Sequence, residues 1–166
     1  MHPRQLLNRR QAVCALLAAA VPLGGARAGD FAMVEFVRKL YVEQVRMHAD
    51  DEHMTEEAFY ALFSGELRAL MQAPHPGLAR EPIGRILNVF FGWGVLPRQP
   101  VVLYDVMPAF GGTGGLYLVR VDLLVRGEGR QILVRPVRED GLWKISDIYY
   151  GNNERLLDYY RRITRP

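Results

Sequence analysis

Apolar residues recur at helical spacing from Asp30 to about His48, at Val34, Val37, Tyr41 and Val45. Phe36 and Leu40 widen this stripe, and Glu35, Lys39 and Glu43 line the opposite side in i, i+4 steps that suit water. The pattern predicts an amphipathic helix with Asp30 as its cap. A polar break follows, Ala49-Asp50-Asp51-Glu52-His53. Thr55 then reads as the cap of a short helix with Phe59, Leu62 and Phe63 inward. Ser64 reads as the cap of the next, with Leu67, Leu70 and Met71 inward, and Pro74-His75-Pro76-Gly77 ends it. Residues 82–91 are expected to form one more short helix with Pro82 in its first turn, broken by Gly92-Trp93-Gly94.

From Pro100 the period changes from 3.6 to 2, and 101–107, 116–126, 131–138 and 142–150 read as four strands. Val119, Val121, Leu123 and Val125 form an apolar row at odd positions, while Ile132, Val134 and Pro136 form one at even positions. Neighbouring strands must place their apolar rows on one face, because a one-residue slip flips every side chain. A two-residue loop within Gly127-Glu128-Gly129 makes odd pair with even, and Asp140-Gly141 makes a second hairpin of the same kind. The inward row then continues through Trp143, Ile145, Asp147 and Tyr149, so a carboxylate faces the core side. Asn152 or Asn153 is expected to cap a terminal helix with Leu156, Tyr160 and Ile163 inward. Helices followed by an antiparallel meander give an α+β fold. N-terminal helices lie on one face of a curved sheet of four or more strands, and a C-terminal helix closes the domain.

Charge changes the picture only at the start of the chain. The formal charge is +3, but residues 1–28 read as a secretory signal. Arg4, Arg9 and Arg10 are followed by an apolar run from Ala12 to Leu23 and by Ala26-Arg27-Ala28 as a small-residue cleavage site. The run is too short to span a bilayer, so an integral membrane protein is not expected. Removing the segment leaves 17 basic and 18 acidic residues, a net −1, which gives no footprint for nucleic acid. Cys14 is the only cysteine and lies inside the segment, so the remaining 29–166 domain cannot form disulfides. The pair in Asn8-Arg9-Arg10-Gln11-Ala12-Val13 resembles the twin-arginine export signal, alongside the general route, and the destination is the periplasm or the exterior of a bacterium.

Helices followed by a hairpin sheet, with Asp140-Gly141-Leu142-Trp143-Lys144-Ile145-Ser146-Asp147-Ile148 near the end, resemble the nuclear-transport-factor-2-like superfamily. Within it, Phe36-Val37-Arg38-Lys39-Leu40-Tyr41 and Phe63-Ser64-Gly65-Glu66-Leu67-Arg68-Ala69-Leu70 look like a group of exported bacterial proteins known as a domain of unknown function. The tail, Trp143-Lys144-Ile145-Ser146-Asp147-Ile148 with Leu156 and Tyr160-Arg161, is similar to periplasmic phospholipid-shuttling proteins of the toluene-tolerance family, although this chain is shorter in its helical part. The first resemblance implies a roll-shaped fold, some of whose members are isomerases and dehydratases. The second implies lipid carriage.

Asp147 is the nearest thing to a site. Its structural reading is a carboxylate accepting hydrogen bonds from a helix end, a tyrosine or Trp143. Its functional reading is a pocket acid, the weak catalytic candidate, acting with Tyr104 or Tyr149. Trp143, Tyr149, Tyr104 and Trp93 complete the candidate ligand pocket, Trp93 as a core plug or as a lid over the mouth. His48 and His53 stand five apart and miss the spacing that places two ligands on one helix face, so no metal is expected. Gly111-Gly112-Thr113-Gly114-Gly115 lacks the lysine and following helix of a phosphate loop. Leu124, Leu133, Val137 and Ile148 share the outer sheet face with Arg120, Asp122 and Arg135, and form a candidate surface for a homodimer or protein partner. No nucleophile stands with a base at recognisable spacing, and no cofactor pattern is present. The expectation is an exported, non-enzymatic module for a small apolar ligand or a protein partner. The alternatives are a lipid carrier and an isomerase- or dehydratase-type enzyme.

Overall fold

The computed structural model describes residues 28–81, 87–110, 117–151 and 154–165. The change of period at Pro100 marks the boundary between helices and main sheet. Helices α1 (Ala28–Asp50), α2 (Glu56–Ala61) and α3 (Gly65–Gln72) come first, followed by a 3-10 turn at Pro76–Arg80. A small hairpin of β1 (Leu87–Asn88) and β2 (Gly92–Trp93) precedes four longer strands. These are β3 (Val101–Phe110), β4 (Tyr117–Val125), β5 (Glu128–Glu139) and β6 (Leu142–Tyr149), and α4 (Leu156–Ile163) follows. The sheet runs β3-β4-β5-β6 with every neighbour antiparallel, an α+β fold. The expected signal lies outside the described residues except for Ala28, and so do Gly111–Gly115 and both Asn152 and Asn153.

Thr55 and Ser64 do cap their helices. Thr55 Oγ1 accepts from the Ala58 N–H at 3.2 Å, and Ser64 Oγ accepts from Leu67 at 3.5 Å. The buried side of α1 is carried by Met33, Val37, Leu40, Tyr41, Gln44 and Met47, while Val34 and Val45 sit at its flank. The face is rotated from the expected stripe. Two methionines, unbranched and adaptable, reach the core at its ends, and a glutamine lies inside it. Residues 87–93 are a hairpin, not the end of a helix. Asn88 Oδ1 accepts from the N–H groups of Phe90 and Phe91 at 3.0 and 3.1 Å, and Gly92 takes φ +86°, so the chain reverses instead of coiling.

On the inner face Val119 pairs with Val134 and Val121 with Ile132, odd with even, and all four are buried. The turn is Arg126-Gly127, with φ of +55° and +82°, not a pair within 127–129. A loop displaced by one residue moves the register by two, so the faces are unchanged. Asp140-Gly141 closes the next hairpin, with Glu139 opposite Leu142. Halfway along β6 the register then slips. Pro136 faces Ile145, but Arg135 faces Asp147, and Ser146 is the extra residue of a bulge. Proline has no N–H to give the ladder, and the break falls beside it. Ser146 Oγ donates to the Arg135 carbonyl at 3.0 Å and holds the bulge.

The bulge corrects two expectations. Ile148, assigned to the outer face, pairs with the core residue Val134 and is fully buried. Tyr149, assigned to the inward row, pairs with Leu133 and is only partly buried. Helix α1 packs chiefly across β3, and α4 packs against β6 and α3. The free edge of β6 is sealed by the segment between α2 and α3. Ser64 N–H donates to the Ile145 carbonyl at 2.9 Å, and Ile145 N–H donates to Leu62 at 2.8 Å.

Candidate functional site

Asp147 is 1% exposed, and both its oxygens are engaged. Oδ1 accepts from the N–H of Ile148 at 2.9 Å and from the N–H of Leu157 at 3.0 Å. Oδ2 accepts from Arg155 Nε at 2.8 Å and Nη2 at 2.6 Å. Leu157 lies in the first turn of α4, whose N-cap is Arg155, with no side-chain cap of its own. A carboxylate reaching across from β6 therefore caps α4. Burial alone lowers the Arg155 pKa, but the hydrogen bond and charge of Asp147 outweigh it and the net shift is upward. The guanidinium also lies 4.9 Å from the Tyr149 ring centre. Asp147 is thus the anchor of α4, and the bulge at Ser146 is what aims it there.

The other sequence candidates are scattered. Tyr104 sits on β3, the sheet edge farthest from β6, at a bulge between Leu103 and Asp105 that pushes it 78% into solvent. It does not join Asp147. Trp93 is half-buried against Tyr159, ring centres 5.3 Å apart. Trp143 is half-buried at the far end of β6, opposite Arg138. Leu124, Leu133 and Val137 do lie partly exposed on the outer face, with Arg120 bound to Asp122 at 3.1 Å. Asp122 pairs with Gln131, and Arg135 with Asp147.

A cleft lies elsewhere, between the end of α1 and the 87–97 segment. Its inner lobe, about 200 Å³, is bordered by Gln44, Met47, His48, Phe90, Phe91 and Val95. Its outer lobe, about 400 Å³, shares Gln44, Met47, Leu87 and Phe90 and adds Met54, Glu56 and Phe59. The rings are braced by edge contacts. Phe90 lies 6.3 Å from Tyr41 and 6.1 Å from Phe59, and Phe91 lies 5.1 Å from His48.

Backbone clamps hold this wall in place. Arg130 Nη1 donates to the carbonyls of Phe91 at 2.6 Å and Trp93 at 3.1 Å, and Tyr150 O–H donates to Val89 at 2.6 Å. His48 Nε2 donates to the Gln99 carbonyl at 3.0 Å, which places that proton on Nε2. The acids at the mouth are partly neutralised. Asp51 binds Arg98 at 2.7 Å, and Glu52 binds Arg46 at 2.9 Å. Among the described residues no group of three or more His, Cys, Asp or Glu is arranged to hold a metal ion.

One buried polar group beside the cleft is not satisfied. Gln44 is 8% exposed and borders both lobes, and its Nε2 has no acceptor. Tyr41, one turn back on the same face of α1, is fully buried, and its O–H also lacks a partner. Sequence reasoning missed this cleft because it treated the α1 stripe as purely apolar and 82–91 as helix. The signal present was Gln44 itself, three residues after Tyr41 and three before Met47 on a helical face.

No protein-family model, curated protein or solved structure matches this chain. Among the described residues no helix is long and apolar enough to cross a membrane.

Proposed function

We propose that this chain is an exported, non-enzymatic module that binds a small apolar ligand in the cleft between α1 and the Phe90–Phe91 turn. The observation that carries the reading is the pair of adjoining lobes walled by Met47, Leu87, Phe90, Phe91 and Val95. Apolar walls with a few polar groups, at volumes of a few hundred Å³, are what small-molecule sites offer. These volumes favour a compact molecule over a phospholipid with two acyl chains. The helices on one face of a bulged antiparallel sheet support a nuclear-transport-factor-2-like roll as the scaffold. Export rests on the basic start, apolar run and Ala26-Arg27-Ala28 of the sequence. The engagement of both Asp147 oxygens supports an anchoring role for it over acid–base chemistry.

Native mass spectrometry of the protein, gently extracted from an exporting bacterial host, tests the reading. The expected result is a mature chain cut after Ala28 that carries a small adduct lost on mild activation. A bound phospholipid would favour the carrier reading instead. A recurrent protein partner would move attention to the outer sheet face.

A further inference from the structure

We propose that the outer face of β3, β4 and β5 pairs two copies of this chain about a two-fold axis running along β4, with Val102 and Tyr104 of one copy seated over Gly129 of the other. The helices pack on the inner face, and Val102, Leu124 and Leu133 stay open to solvent on the outer one. The bulge between Leu103 and Asp105 turns Tyr104 out of the ladder, so that it is 78% exposed, and Val102 is 53% exposed. In the same face lies a depression of about 300 Å³, whose border includes Tyr104, Leu124, Gly129 and Gln131. A Cβ on Gly129 would meet no atom within 4 Å. One face therefore carries both a projection and a recess, which is what a self-complementary two-fold contact requires. The register decides how they fit. Val102, Leu124 and Gly129 lie in one row across the three strands, and Met107, Arg120 and Leu133 lie in another. Neighbouring strands are evenly spaced, so a two-fold axis along β4 lays each β3 residue over the β5 residue of its own row. Val102 then meets Gly129, a side chain against a missing one. Met107 meets Leu133, and Leu124 meets its own copy. Tyr104 stands between the rows of Arg130 and Gln131 and enters the same recess. Arg120 and Asp122 on β4 are bound to each other at 3.1 Å, so together they bring no net charge onto the axis. Projection and recess in matching rows of one sequence favour a second copy over an unrelated protein. The cleft lies on the helix side of the sheet, so this inference stands apart from the ligand reading.

Sedimentation velocity of the protein from an exporting host, over a concentration series, reads the pairing. The native protein should pass from monomer to dimer between about 1 and about 100 µM, the range of a modest interface. Gly129→Leu fills the recess and Tyr104→Ala removes the projection. Each should weaken dimerisation about tenfold or more, as loss of a central anchor does. Val42→Ser, at an exposed position of α1, should leave it unchanged. Both interface variants should melt near the native temperature, because Tyr104 faces solvent and Gly129 has open space at an ordinary strand φ. If Gly129→Leu does not fold, Tyr104→Ala decides. A native protein still monomeric at about 100 µM overturns the inference. A dimer that neither variant weakens overturns it too, because the contact would then lie on another face.

Discussion

The carboxylate of Asp147 caps a helix that begins nine residues later, accepting the Leu157 N–H at 3.0 Å. The same group holds Arg155, so one buried side chain fixes both the start of α4 and its approach to β6.

Asp147→Asn keeps the shape but loses the charge and one acceptor. It should cost roughly 1 to 3 kcal/mol, the range for disturbing a buried hydrogen bond to a charged group. Asp147→Ala should cost about 3 to 5 kcal/mol, since it strands two backbone N–H groups and the guanidinium together. Arg155→Ala should cost less than Asp147→Ala, because both N–H groups keep their acceptor. Urea melts of the three variants give the order. A more stable Asp147→Asn would mean that the carboxylate is kept against stability, as functional groups often are, and the anchoring role would fall.

Gly77 lies in the 3-10 turn beneath the end of α4. A Cβ there would stand 2.8 Å from Ile163 Cα and 2.9 Å from the Ile163 carbonyl oxygen. Both are backbone atoms of a packed helix and cannot swing aside. Gly77→Ala should therefore destabilise by about 1 to 3 kcal/mol, the usual cost of overpacking. Gly127→Ala meets no atom within 4 Å but sits at φ +82°, so its loss would be conformational strain alone. A Gly77→Ala protein with unchanged melting temperature would show that the turn does not press on α4.

Tyrosine titration gives a pH prediction. Burial raises the pKa of Tyr160 to about 12 and drives those of Tyr41 and Tyr150 upward as well. The fold therefore favours the neutral phenols. Their stabilisation is fully present below the unfolded value of 10.0 and fades as pH rises above it, for Tyr160 between about 10 and about 12. Ionising Tyr160 within the fold should therefore cost about 2 to 3 kcal/mol of stability. Ultraviolet titration should show exposed phenols ionising first and the buried set only at higher pH, together with loss of helical signal. Tyr160→Phe should remove amplitude from the later phase. A single phase near pH 10 with the fold intact would contradict this burial.

How much of this was legible in the sequence follows from what each signal encodes. The caps at Thr55 and Ser64 and the Asp140-Gly141 turn are local, so a few residues suffice to specify them. The odd-to-even pairing of β4 and β5 also survived, because parity tolerates a turn misplaced by one residue. The end of β6 did not survive. Alternation assumes an unbroken ladder, and the break depends on Pro136 in the neighbouring strand. The α4 cap was sought among nearby asparagines, whereas its acceptor comes from across the fold. The cleft was illegible for a similar reason. Gln44 and Phe91 are far apart in sequence and line one cleft only after the 87–93 hairpin turns back on α1.

The bulge at Ser146 decides the faces of Ile148 and Leu133, and a charge scan reads it directly. Ile148 pairs with Val134 and is fully buried, while Leu133 pairs with Tyr149 and is partly open. Ile148→Asp would place a carboxylate among the packed side chains of the core. It should cost several kcal/mol, at least about 3, by burying a charge. Leu133→Asp keeps its carboxylate near water and loses some apolar contact and strand propensity, which should come to about 1 kcal/mol. In a regular ladder without the bulge, Ile148 would stand on the outer face and its substitution would be mild. Urea melts of the pair separate the two registers. Equal losses, or a larger loss at Leu133, would show that β6 runs without the slip, and would leave Asp147 without the aim that takes it to α4.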